Sequence, residues 1–315
     1  MVNRSLDSLP YDREPKSLYA PVKYVLSLGG KRIRPVLMLM AYNLYKEDVE
    51  TIMSQALALE TYHNFTLLHD DVMDRADVRR GKPCVHKVWN DNVAILSGDT
   101  MLVLAYKRMA ACPADKLPAV IDLFTQTAME IDEGQQFDLE FESRNDVRVE
   151  EYLEMIRLKT SVLLACALKM GAILAGASAE DADALYDFGE KTGLAFQLQD
   201  DYLDVYGDFA VFGKKIGGDI LCNKKTYMLI NALDRANETQ RAELDSWLAK
   251  TDYVPQQKID AVTRLYNELG IRELCDQKIN DYFRQAEQSL QKVNLPQERK
   301  QLLWDFALQL LGRKS

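Results

Sequence analysis

Three observations predict an all-α fold. Apolar residues recur at steps of three and four over long segments, no segment alternates with the period of two that a half-buried strand needs, and the breaks between segments are short and carry Gly, Pro or Asp. Between Ile52 and Asp74 the step runs through Ile52, Ala56, Leu59 and Leu67. The same period marks Val93–Ala110, Leu117–Glu142, Val149–Ala177, Ala179–Tyr206, Lys225–Arg235 and Ile271–Val293. Neither a β-hairpin nor a βαβ unit is expected. Two longer breaks, Arg75–Asn92 with Gly81 and Pro83, and Gly207–Leu221 with Gly213, Gly217 and Gly218, each follow an acidic cluster. No fixed-period repeat or compositional shift divides the chain, so residues 1–315 read as one domain, a single large helical bundle.

Composition narrows the function classes. With 47% hydrophobic and 28% charged residues, the 315-residue chain has material for a substantial core and lacks the bias of disorder. Lys plus Arg is 39 against 48 Asp plus Glu, a net charge of −9, the opposite of the basic excess that nucleic-acid binding favours. The five cysteines, Cys84, Cys112, Cys166, Cys222 and Cys275, are widely spaced with no CxxC pair or zinc spacing, and read as free thiols of a reducing compartment. Met1–Lys16 is polar and lacks the apolar core of a secretory signal, so a cytoplasmic location is expected. The most apolar stretch, Val162–Ala177, is interrupted by Lys169 and falls short of the ~20 residues that cross a bilayer, so no transmembrane segment is expected.

Chemistry is concentrated in two acidic clusters at predicted helix ends, Asp70-Asp71-Val72-Met73-Asp74 and Asp200-Asp201-Tyr202-Leu203-Asp204. Residues three and four apart share a helix face, so each cluster is expected to present a compact carboxylate face. Like charges about 4 Å apart repel by roughly 4 kcal/mol at the effective dielectric of a protein surface, and something positive should sit there. All-oxygen ligands favour Mg²⁺, which keeps few carboxylates and completes its shell with water and substrate phosphates. A single such cluster is equally well a solvated acidic face. Here there are two, followed by Arg79 and Arg80 after the first and by Lys214, Lys215, Lys224 and Lys225 after the second. Arginine's planar fork suits phosphate oxygens. Upstream, Gly29-Gly30 ends one helix and Pro35 opens the next, exposing Lys31 and Arg34 near a helix start, a favourable anion site. It is no Walker loop: Val25 stands where the first Gly belongs and Arg32 where Ser or Thr belongs.

These motifs, in order, resemble the trans-isoprenyl diphosphate synthases, the polyprenyl synthetase family. The likeness rests on residues 29–35 (GGKRIRP), Glu60-Thr61-Tyr62-His63, Leu68-His69 with the first cluster, Arg79-Arg80-Gly81-Lys82-Pro83, Leu96-Ser97-Gly98-Asp99, Gly134-Gln135-Gln136-Phe137-Asp138, Lys159-Thr160, Phe196-Gln197-Leu198-Gln199 with the second cluster, and residues 213–220 (GKKIGGDI). The resemblance implies head-to-tail condensation of isopentenyl diphosphate onto an allylic diphosphate (dimethylallyl, geranyl or farnesyl) in an all-α bundle with a central substrate cavity. It implies three Mg²⁺ between the clusters and a homodimer.

By matching positions, the resemblance makes Asp70, Asp74 and Asp200 the direct Mg²⁺ ligands, with Asp71, Asp201 and Asp204 orienting metal-bound water or adding charge. Arg79, Lys159 and Lys214 would hold the allylic diphosphate, with Lys224 as a further substrate cation. Lys31, Arg34, His63 and Arg80 would hold isopentenyl diphosphate, so that adjacent Arg79 and Arg80 serve different substrates. Thr160, Gln197 and Tyr202 would lend dipoles near the carbocation. Gln135 and Asp138 would orient the metal site, although a buried interhelical hydrogen bond accounts for them equally. The basic end, Arg313-Lys314, is either a cover for isopentenyl diphosphate or a frayed terminus.

Product length should follow from bulk below the first cluster. Five positions before Asp70, about 7.5 Å down the helix, stands Phe65, followed by Thr66. One aromatic there, with no insertion in the acidic motif, is similar to members that form C20 products, and Tyr62 would make a deeper floor. Geranylgeranyl diphosphate is the favoured product, then farnesyl diphosphate, then longer chains. A class I terpene cyclase would need no second diphosphate site, and a non-catalytic regulatory subunit commonly loses one cluster; Lys31, Arg34 and Arg80 argue against the first and the two intact clusters against the second.

Overall fold

The computed structural model describes residues 1–207 and 216–311. It divides into two compact units, Met1–Thr125 with Cys166–Asp183, and Gln126–Ala165 with Ala184–Ser315. Lys214 and the basic end Arg313-Lys314 lie outside the described residues. In chain order the first helices are α1 (Val2–Asp7), α2 (Lys16–Ser27), α3 (Ile33–Asn43), α4 (Met53–Met73), α5 (Val85–Val88), α6 (Asp91–Met109), α7 (Leu117–Ser143), α8 (Val149–Ile156) and α9 (Val162–Ala175). The remainder are α10 (Ala179–Tyr206), α11 (Gly218–Leu221), α12 (Tyr227–Arg235), α13 (Glu238–Ala249), α14 (Pro255–Glu268), α15 (Ile271–Lys292) and α16 (Gln297–Leu311).

Helix α4 organises the first unit. It packs against α2, α3 and α6, and its sequence is apolar on more than one side: Ala56, Ala58, Leu59, Tyr62 and Leu68 are all at most 1% exposed. A helix surrounded by neighbours can carry such a pattern, whereas a surface helix keeps one apolar stripe. Within the acidic cluster only Asp71 stays buried; Asp70 is partly exposed and Asp74 exposed. In the second unit the core gathers Tyr152 and Met155 of α8, Leu194 and Leu198 of α10, Met228 of α12, Leu265 of α14 and Cys275 of α15.

The structure departs from the expected all-helical pattern in two places. Val78–Arg79 (β1) and Lys82–Pro83 (β2) pair antiparallel, so the break after the first cluster does hold a small hairpin. Its central residues, Arg80 and Gly81, have φ of 52° and 75°, the type I′ geometry whose twist matches paired strands. Asn or Asp is the usual first residue of that turn, and Arg80 concealed it. The predicted helix Val149–Ala177 is interrupted by a π-helical turn at Arg157–Ser161. Because the turn stays helical, the run Val149–Ala175 is longer than the apolar stretch Val162–Ala177 and matches a membrane span by length and composition alone, but 78% of its most apolar window is buried within the protein, as in a core helix.

Some helices escaped sequence detection for identifiable reasons. Helix α13 is mostly exposed, with only Leu244 buried, so its period is faint; a reciprocal cap between Asn237 and Gln240 starts it. Helix α12 begins two residues later than expected because Thr226 caps it, its hydroxyl accepting from the N–H of Leu229 at 3.3 Å.

Candidate functional site

In the first unit the chain passes from α2 to α3 through Gly29 and Gly30, with φ of 80° and 127°, and Arg32, with φ of 51°. Arg32 is buried and fully engaged, donating to Glu60 Oε1 at 2.6 Å, to the Leu26 carbonyl at 2.7 Å and to Asn3 Oδ1 at 3.1 Å. It thereby fixes the start of α3 against α4. Lys31 beside it is exposed.

Arg34 projects towards His63, its Nη1 standing 3.2 Å from Nε2. Arginine only donates, so Nε2 must accept and the ring is neutral. Burial and then the charges of Arg34, Arg80, Arg79 and Arg32 hold the His63 pKa well below 6.5. Burial and Arg80 also pull the Arg34 pKa down to about 10, with Glu60 opposing. Its Nε is buried without a hydrogen-bond partner. With Arg79 paired to Asp71, three guanidinium groups, Arg32, Arg34 and Arg80, against Glu60 make this a pocket of excess positive charge, with a buried donor ready for an anion.

The hairpin explains how Arg79 and Arg80 diverge. Arg79 lies in β1 and donates from Nε and Nη2 to Asp71 Oδ1 at 3.0 and 2.5 Å. Arg80 occupies the turn and reaches the Gly29 carbonyl and Asn64 Oδ1, while Asn64 donates to Glu60 Oε1 at 2.9 Å. One arginine therefore serves the acidic cluster and its neighbour the basic pocket.

Asp70, Asp71 and Asp74 do not form the compact face expected of them. Asp71, about 100° round the helix from Asp70, is only 4% exposed and faces Arg79. It also holds the Cys84 thiol, whose pKa burial and this hydrogen bond push up to about 12. Asp70 is partly exposed, and exposed Asp74 ends α4, its N–H donating to the Asp70 carbonyl at 2.8 Å. Among the described residues no three His, Cys, Asp or Glu side chains form a ready-made metal cage. Carboxylate oxygens are the donors Mg²⁺ prefers, and it takes one or two of them and relies on water and phosphate for the rest.

Below this cluster lies a chain of aromatic rings. Phe65 meets His69 edge-on at 4.8 Å and Tyr62 at 5.5 Å; Tyr62 meets Phe124 at 5.2 Å, and Phe124 meets Tyr106 at 4.8 Å. Phe124 and Tyr106 were not legible as site residues, since nothing in their local sequence marks them. Thr66 is partly exposed and donates its hydroxyl to the His63 carbonyl at 2.9 Å.

In the second unit the π turn carries both Lys159 and Thr160. Two glycines on flanking helices let it pack: a Cβ on Gly134 of α7 would lie 2.4 Å from the Lys159 backbone nitrogen, and one on Gly193 of α10 would lie 2.7 Å from Ser161 Cα. Lys159 pairs with Asp138 at 2.5 Å. Gln135, one turn before Asp138, is partly buried. Thr160 donates to Gln197 Oε1 at 3.3 Å, and Gln197 donates to Asp201 Oδ1 at 3.1 Å.

Asp201 is 3% exposed and receives the Tyr152 hydroxyl; burial, reinforced by Asp219, raises its pKa to about 7, with Lys224 opposing. Asp204 accepts the N–H of Asp219 at 2.9 Å, and Asp200 is partly buried. Tyr202 accepts from Arg272 at 3.0 Å. Burial disfavours the Lys224 ammonium, but Asp219, Asp201, Asp138 and Asp204 outweigh it and hold its pKa above the ordinary lysine value. Asp219 and Tyr152 are additions to the sequence reading; the Gly-Gly-Asp run signalled the first, and nothing local signalled the second. Cys222, near Lys224, is exposed, whereas Cys84, Cys166 and Cys275 are buried.

The polyprenyl synthetase family model matches residues 15–269. A geranylgeranyl diphosphate synthase of Methanosarcina mazei is 41% identical over 236 residues, 74% of this chain and 73% of that protein. A geranylfarnesyl diphosphate synthase of Natronomonas pharaonis is 34% identical over 332 residues, 99% of this chain and 95% of that protein. Among solved structures, a geranylgeranyl pyrophosphate synthase superposes with a TM-score of 0.92 at 45% identity, covering 99% of this chain and 96% of that one. Another, from Corynebacterium glutamicum in complex with isoprenyl diphosphate and magnesium, superposes with a TM-score of 0.85 at 29% identity, covering 99% and 96%.

Proposed function

The chain belongs to the polyprenyl synthetase family, and from that premise we propose that it joins isopentenyl diphosphate head-to-tail to allylic diphosphates and stops at geranylgeranyl diphosphate. The observation that carries this reading is the arginine pocket, where Arg34, Arg80 and neutral His63 surround a buried, unpartnered Arg34 Nε. A pyrophosphate group matches that surplus of donors and charge. Lys31 adds a solvated cation at its edge.

Asp70, Asp74 and Asp200 would hold Mg²⁺, with Asp71, Asp201 and Asp204 as supporting carboxylates; three ions are proposed from the family likeness. When bound, the metal supplies charge neutralisation at the departing pyrophosphate. Arg79, Lys159, Lys214 and Lys224 are proposed to bind the allylic pyrophosphate and stabilise the charge that builds on it. The Thr160 hydroxyl and the Gln197 amide direct dipoles at the carbocation, which the isopentenyl double bond attacks. The protein supplies no covalent nucleophile, and water must be kept from the cation. Gln135 and Asp138 support this group, Asp138 by holding Lys159.

The aromatic chain Phe65, Tyr62 and Phe124 supports a pocket floor consistent with a C20 product, with Thr66 beside it. A C25 product is the second reading, favoured by the likeness to the geranylfarnesyl synthase over nearly the whole chain. We also propose a cytoplasmic homodimer in which one single-domain protomer spans both units, since the family match runs through residues of each. Exposed Ile95, Leu96 and Val103 on α6 suit such an association.

The experiment incubates the protein and Mg²⁺ with labelled isopentenyl diphosphate and dimethylallyl, geranyl or farnesyl diphosphate, then sizes the dephosphorylated products. Elongation ending at C20 is expected. A C15 or C25 limit would reject the floor while keeping the reaction, and no elongation by folded protein would turn the assignment towards a cyclase or a regulatory subunit.

A further inference from the structure

We infer that Tyr152 is a positioning residue that sets the direction of the Gln197 amide through Asp201. Gln197 and Asp201 lie one turn apart on α10 and are bracketed by two hydroxyls, Tyr152 on Asp201 and Thr160 on Gln197. Because Asp201 accepts the Gln197 NH₂ group, the opposite end of the amide, its carbonyl, is turned to Thr160. Released from Asp201, that amide loses the contact that chooses between its two orientations. Tyr152 is 1% exposed, so its hydroxyl needs this partner as much as Asp201 needs the donor.

The π turn makes the bracket possible. In an unbroken α-helix, residues eight apart differ by about 80° in direction, at about 100° per residue. Thr160 lies within the π turn, where the winding per residue is smaller than in an α-helix, so it falls closer to the direction of Tyr152 than an unbroken helix would put it. Both then address α10, where positions 197 and 201 also share a face. Gly134 and Gly193 leave room for the wider turn. The relay ends on groups proposed above to face the carbocation, so this inference rests on the proposed reaction.

Tyr152→Phe removes one oxygen and keeps the ring. We expect kcat to fall about tenfold, as for loss of one charge-assisted hydrogen bond, and the Mg²⁺ needed for half-maximal rate to rise severalfold. The KM for isopentenyl diphosphate, which depends on the first unit, should stay unchanged. A lower melting temperature with unaltered kcat and Mg²⁺ dependence would reduce Tyr152 to a packing role and overturn the inference. Tyr152→His retains a ring donor and should recover part of the rate; equal losses in both variants would also overturn it. Wild-type elongation, measured beside these, separates failure of the reaction from failure of the positioning claim.

Discussion

The basic pocket of the first unit and the acidic cluster of the second handle charge in opposite ways. In the pocket, Arg34 and Arg80 outnumber their counter-ions, their pKa values are depressed, and a buried donor is unpartnered. Around the second cluster the protein supplies its own cations and donors: Asp138 has Lys159, the field of Asp219 and Asp204 is met by Lys224, and Asp201 has the Tyr152 hydroxyl. The first arrangement is incomplete until an anion arrives; the second is stable alone and must be rearranged by its ligand. Substitutions should therefore act through binding in one region and through turnover in the other.

The largest expected effect falls on the first acidic cluster, whose proposed metal ligands belong to neither region of this contrast. Asp70→Ala should lower turnover about a thousandfold with the helical circular dichroism unchanged; near-normal turnover at saturating Mg²⁺ would remove Asp70 from the metal site. Next, Arg34→Ala should raise the KM for isopentenyl diphosphate about a hundredfold, about 2–3 kcal/mol, leaving the KM for the allylic partner close to wild type. If both constants rise together, the two regions do not divide the substrates as proposed.

Phe65→Ala or Phe124→Ala should shift products to longer chains, read by chromatography of the released alcohols. The second also costs about 3 kcal/mol of stability, because Phe124 is wholly buried. An unchanged product from both would dissociate the aromatic chain from length control.

The smallest effect is a pH dependence. The folded pKa of His63 lies well below 6.5, so between those values the unfolded chain binds a proton that the folded chain does not. Stability should fall as pH drops below about 6.5. His63→Gln lacks this contribution, and its melting temperature should approach or pass that of wild type between pH 7 and pH 5. Parallel melting curves would show that His63 is not held neutral by its arginine neighbours.

Much of this was legible in the sequence, because long amphipathic helices and paired acidic runs leave periodic signals. Arg34, His63 and Arg80 could be grouped by motif, although their motifs lie far apart in the chain. What escaped was set by geometry that composition does not encode. The Arg80-Gly81 turn uses an atypical first residue, so the hairpin that separates Arg79 from Arg80 was read as an unstructured break. The π turn follows from packing against Gly134 and Gly193, which leaves no hydrophobic period of its own. Phe124 and Tyr152 act through partners distant in sequence, Tyr62 and Asp201, and carry no local mark. Asp71 illustrates the converse: the motif placed it correctly along the helix, but burial against Arg79 gives it a different part from Asp70 and Asp74.

The distribution of thiols has a practical consequence. Cys84, Cys166 and Cys275 are buried, and Cys112 is partly shielded with a raised pKa, whereas Cys222 is open to solvent two positions from Lys224. A maleimide dye applied to the native protein at neutral pH will therefore attach mainly at Cys222. The unaltered chain already contains an anchorage for a fluorescent reporter beside the second cluster, and its emission can follow ligand occupancy there in real time.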